Sequence, residues 1–139
     1  MTAPRRPLLF RTAVPAHPAH ASGVRRMVTA HLKLWRLSDL LDSAVLATAE
    51  LFANAVRHTG GGARDVVTIT LACTAEELQV TVADPCPRLP RPGIPDETAE
   101  SGRGLAIVCA LADDWGTAPP DPGSRGKKVW FTLSTKDCA

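Results

Sequence analysis

The sequence has 139 residues, 45% of them hydrophobic and 22% charged, which gives one compact domain enough apolar material for a core and leaves little room for a second. A net charge of +2 is too slight a basic bias to argue for a nucleic-acid partner. No apolar run approaches the roughly 18 residues that span a bilayer, and Arg5 and Arg6 precede no long apolar stretch of the signal-peptide kind, so the cytoplasm is the default compartment and no membrane contact is expected.

Residues 1–6 are polar and contain proline, and are expected to be loose, as are residues 135–139. Leu8, Phe10 and Thr12 alternate with Leu9, Arg11 and Ala13, which predicts a strand that Pro15 and Pro18 interrupt. A helix is predicted from Ser22 to about Leu37, with Val24, Met27, Val28, Leu32 and Trp35 on one face. Ser38 or Asp39 suits the cap of a second helix running to about His58. The run Thr59-Gly60-Gly61-Gly62 stops it, since glycine accepts the left-handed geometry past a helix end. Val67, Ile69 and Leu71, then Leu78, Val80 and Val82, mark two strands joined at Thr74 to Glu77 as an antiparallel hairpin. Residues 85–100 hold Pro85, Pro87, Pro90, Pro92 and Pro95, so a long loop is expected there, of the length that usually carries function. An apolar helix over Gly102 to Ala112 follows, then a strand at Trp115 to Ala118, a turn-rich link from Pro119 to Gly126, and a last strand from Lys128 to Leu133. The pattern is α+β, with helices on one face of a mainly antiparallel sheet.

Cys73, Cys86, Cys109 and Cys138 form no C-x-x-C pair and read as reduced thiols. His17 and His20 have no third ligand near them in sequence, so no metal site is assigned to them.

Three features carry chemistry. The first is the second long helix, where Glu50, Asn54 and His58 recur at intervals of four. Glu50 and Asn54 fall within about 40° of each other around the axis, and Leu41, Ala44, Val45, Phe52, Ala55 and Val56 are expected on the opposite side. Asn is a weak helix former, and its amide oxygen is a hard ligand of the kind that suits Mg²⁺. The second is Asp84, which continues the inward face of Leu78, Val80 and Val82. A carboxylate there is costly unless it is paired or hydrogen-bonded, and the exocyclic amine of adenine is one donor that would satisfy it. The third is Ser101-Gly102-Arg103-Gly104-Leu105 at the start of the apolar helix, where glycines and a helix N-terminus favour an anion.

In order and spacing, Glu50-x-x-x-Asn54-Ala55-x-x-His58, a strand ending in Asp84, a proline-rich loop and Gly102-Arg103-Gly104-Leu105-x-Ile107-Val108 resemble the GHKL ATPase and histidine-kinase-like superfamily. Leu111-Ala112-x-x-Trp115-Gly116 and Gly126-Lys127-x-Val129-Trp130-Phe131 make the chain similar to small actinobacterial relatives of the anti-sigma factor serine kinases. The resemblance covers residues 8 to 134, and the whole of 1–139 is expected to be one such domain. It implies a two-layer α/β sandwich of the Bergerat type with ATP between helices and sheet. Asn54 would hold Mg²⁺, Glu50 would be the general base toward a substrate serine, and Asp84 would bind the adenine amine. Gly102, Arg103 and Gly104 would contact the phosphates with Leu105 packed behind them, His58 would lie near the site, and residues 85–100 would form the lid. The loop departs from the superfamily's D-x-G-x-G, reading Pro85-Cys86-Pro87-Arg88-Leu89-Pro90 after Asp84.

The implied function is a serine/threonine protein kinase and anti-sigma factor. Its partners would be a sigma factor and an anti-sigma antagonist, the latter its substrate, and homodimerisation is implied by the same resemblance. The alternative is an ATP-binding regulatory module that switches partners without significant kinase activity. Arg25 and Arg26, on the first helix, read as a solvated face.

Overall fold

The computed structural model describes residues 7–59, 65–85, 99–123 and 125–135. Strand β1 (Leu8–Pro15) leads through a 3-10 turn at Pro18–His20 into helix α1 (Ala21–Leu34), and a second such turn at Ser38–Leu40 precedes helix α2 (Leu41–Thr59). Strands β2 (Val66–Cys73) and β3 (Glu77–Asp84) form the expected hairpin. Helix α3 (Ala99–Leu111) and strands β4 (Asp114–Ala118) and β5 (Lys127–Ser134) follow.

The five strands lie in the order β1-β2-β3-β5-β4, and every neighbouring pair is antiparallel. Period-2 alternation therefore sorts side chains to two faces. Val67, Ile69 and Leu71 of β2, Leu78, Val80 and Val82 of β3, and Val129, Phe131 and Leu133 of β5 are buried on the inner face. The helices cover that face, giving the α+β sandwich anticipated from the sequence. On α1, Val24, Val28 and Leu32 are buried, with Met27 and Trp35 partly so. His31 stacks on Phe10 of β1 with ring centroids 3.8 Å apart and donates through Nδ1 to the Met27 carbonyl, 2.9 Å away.

Several boundaries differ from expectation, each for a local reason. Helix α1 stops at Leu34 because Arg36 turns left-handed at φ 61°. Arg36 N–H then bonds to Lys33 O and Leu37 N–H to Leu32 O, the paired closure of a Schellman motif without its usual glycine. Ser38 and Asp39 do not cap α2; they belong to the 3-10 turn, whose N-cap is Leu37 with no side-chain cap bond. Helix α3 begins at Ala99 instead of Gly102, so Ala99 and Glu100 leave the loop expected over 85–100. Residues 86–98 of that loop lie outside the described residues. Lys127 is already in β5, one residue ahead of the expected start. Thr135, expected in a loose tail, is tied to the β2–β3 turn by bonds from its N–H to Glu76 O and from its hydroxyl to Ala75 O. Cys109, in the apolar helix, is exposed, whereas Cys73 is buried.

Candidate functional site

Helix α2 lies on β2 and β3 with α1 on one flank and α3 on the other. Its buried arc is therefore wider than a single stripe. Ala44, Ala47, Thr48, Leu51, Phe52, Ala55 and Val56 are buried, and so is Asn54. The expectation that Asn54 stands on a face apart from the core is thus corrected: the third neighbour, α3, closes over that side. Glu50, one turn earlier, is half-buried.

Asp84 ends β3 on the inner face, as its register with Leu78, Val80 and Val82 requires, and is buried. Its cross-strand partner on β5 is Lys127. The ammonium lies 3.1 Å from Oδ1 and 3.0 Å from Oδ2, with both side chains only 2% exposed. A buried carboxylate is costly without a partner, and this cation is the partner. Lys127 was not singled out from the sequence. The signal was present, because Lys127, Val129, Phe131 and Leu133 alternate and place the lysine on the inner face with Asp84.

Gly126 explains how β5 reaches Asp84. Its φ is +104°, and a Cβ built there would stand 1.8 Å from the Asp84 carbonyl oxygen. Only glycine allows that approach.

Asn54, His58, Asp84, Leu105 and Lys127 line one small cavity with Leu51, Ala55, Val82 and Val129. Elements distant in sequence thus meet at one place: α2, the end of β3, the start of β5 and α3. Leu105 is buried there. Glu50 lines none of the described cavities. The backbone of Gly102, Arg103 and Gly104 is helical, inside α3 and not ahead of it. The cavity holds about 10 Å³, which is room for one water.

Arg57 is a second residue missed by sequence reasoning. Its guanidinium donates through Nη2 to the Asn54 amide oxygen. Its Nε is buried with no hydrogen-bond partner among the described residues. The oxygen is therefore turned toward positive charge. An amide oxygen is by its chemistry a hard donor of the kind a magnesium ion takes, since the ion asks one or two oxygens of the protein and keeps waters and phosphates for the rest. No cluster of three or more His, Cys, Asp or Glu side chains with metal-holding geometry occurs among the described residues, and Mg²⁺ bound with a nucleotide requires none.

A family model described as "Histidine kinase-like ATPase domain" matches residues 14–133. The chain belongs to that family. Histidine kinase-like ATPase domains bind ATP. Among known proteins, an uncharacterized protein of Streptomyces coelicolor is 39% identical over 69 residues, which is 48% of this chain and 65% of that relative's length. No helix among the described residues of this ATPase domain is long and apolar enough to cross a membrane.

Proposed function

We propose that the protein is an ATP-dependent serine/threonine protein kinase and anti-sigma factor that works by partner switching in the cytoplasm. It phosphorylates an anti-sigma antagonist, and the unphosphorylated antagonist competes for the surface that holds the sigma factor. The observation that carries the nucleotide part is the meeting of Asn54, Asp84 and Leu105 around one cavity between helices and sheet.

In this reading the Asp84 carboxylate accepts a hydrogen bond from the adenine amine. Gly102, Arg103 and Gly104 contact the phosphates, Leu105 packs behind them, and His58 borders the base. Asn54 would hold Mg²⁺ through its amide oxygen, which accepts a hydrogen bond from Arg57. The chemistry the ion supplies is neutralisation of phosphate charge, which together with positioning makes up most of phosphoryl-transfer catalysis. Glu50 accepts the proton of the substrate serine hydroxyl, whose oxygen attacks the γ-phosphorus as the bond to the β-phosphate oxygen breaks. A general base of this kind contributes typically about 10²–10⁴-fold.

The second reading is an ATP-binding regulator without significant kinase activity; Glu50 is not among the residues that line the small cavity. One series of experiments separates the two. Calorimetry of ATP with and without Mg²⁺ is expected to show binding by the wild type, loss of it in Asp84→Ala and loss of its Mg²⁺ dependence in Asn54→Ala. Transfer of radiolabelled phosphate to a candidate antagonist is then compared for wild type and Glu50→Gln. If neither transfers label, the second reading stands; if wild-type protein binds no ATP, both fall.

A further inference from the structure

We propose that Lys127 is the positioning residue for the base-recognising carboxylate, and through it a determinant of nucleotide specificity. The inference deepens the reading of Asp84 given above and rests on it.

A carboxylate at a strand end turns freely about its terminal torsion, so its two oxygens have no fixed direction of their own. Here one ammonium grips both oxygens, at 3.0 and 3.1 Å. The two residues face each other across paired strands, and the Asp84–Lys127 register is the end of an eight-residue antiparallel ladder. Gly126, immediately before the lysine, sits against the Asp84 backbone carbonyl with no space even for a Cβ. The main chain on both sides of the pair is thereby set, and the carboxylate's direction is set with it.

The surroundings argue that this arrangement serves recognition. Leu51, Ala55, Val82, Leu105 and Val129 line the same cavity, and low polarity strengthens each charged contact inside it. A well-packed apolar pair at the same two positions would stabilise a sheet end as much or more. What an apolar pair cannot do is present a carboxylate edge at a cavity wall. The pair also carries no net charge, so a polyanionic nucleotide approaching the cavity does not meet a bare anion.

The test uses ATP and purine riboside triphosphate, which is ATP without its 6-amine. Wild-type protein is expected to prefer ATP by about 10- to 100-fold, the range of a hydrogen bond to a charged group. Asp84→Asn should bring the ratio to within about threefold of unity, and Lys127→Met should do the same by losing more affinity for ATP than for the riboside analogue. Lys127→Arg, which keeps a cation beside Asp84, should retain most of the preference. A thermal melt checks each variant for folding, and Lys127→Gln is read in place of Lys127→Met if the latter does not fold. The inference is overturned if the neutral variant keeps the wild-type ratio, or if it weakens both nucleotides equally, as a merely structural lysine would. If wild-type protein, or Asp84→Asn, fails to behave as stated, the Asp84 reading itself falls; failure at Lys127 alone leaves that reading intact.

Discussion

Two buried side chains of opposite charge make Asp84 and Lys127 the most consequential contact at the scale of single residues. Breaking a buried pair by removing one member is costly, so Lys127→Met should lower the unfolding free energy by about 3–5 kcal/mol without ligand. Asp84→Asn with Lys127→Met should cost less than the two single changes added together, because the same interaction is lost only once. Urea unfolding of the three variants measures this. Thr48 presents the reverse case. Its hydroxyl is buried in α2 without a hydrogen-bond partner among the described residues, so Thr48→Val should stabilise by about 1 kcal/mol. At the surface, Lys128 donates to Asp121 at 2.5 Å. That hydrogen bond first, then the charge of Lys128 and the more distant Arg11, hold the Asp121 carboxyl below its ordinary value of 3.8. The folded state therefore gains from this group above the ordinary carboxylate range and loses the gain as pH falls through the lowered value. NMR titration should show Asp121 moving back toward 3.8 in Lys128→Gln; the exposed pair itself adds little to stability.

The elements show where sequence periodicity is sufficient and where it is not. Strict alternation in β1, β2 and β3 left one solution for which residues face inward, and Asp84 was correctly placed by it. Helix α2 was legible in extent but not in burial. Asn54 was assigned to an outer face because a 3.6-residue repeat locates one stripe, whereas α2 is covered from three directions. Lys127 escaped because the last strand was expected to start one residue later, which left the lysine outside the alternation that places it inside with Asp84. The end of α1 was missed for want of a glycine signal, since Arg36 occupies the left-handed position itself. That position makes a prediction. Arg36→Gly relieves the left-handed penalty at some loss from a freer unfolded chain, and a net gain of about 0.5 kcal/mol is expected by thermal unfolding. Gly126→Ala should do the opposite. With Asp84 O only 1.8 Å from the added carbon, β5 must shift, and a loss of at least about 2 kcal/mol is expected in the same measurement.

For the whole molecule, one core joins the sheet to all three helices, so unfolding should be cooperative, with tryptophan fluorescence and far-ultraviolet circular dichroism giving coincident transitions. Trp35 on the α1 side and Trp115 and Trp130 in β4 and β5 report from opposite ends of the structure. Nucleotide at 100 times its dissociation constant should add about 2.7 kcal/mol to stability, and Asp84→Ala should abolish the gain. The sandwich as a whole was readable from the sequence because its local signals agree with one another, and the cavity was readable only in part because half its lining comes from strand pairing. The strand order carries a further consequence for biosynthesis. Strand β5, though it follows all the others in the chain, lies between β3 and β4. Until residues 127–134 have left the ribosome, β3 is an open edge, β4 has no strand to join, and Asp84 lacks the Lys127 ammonium. The sheet therefore closes only after synthesis has passed residue 134, and a chain arrested earlier exposes unpaired strand edges for chaperones to guard.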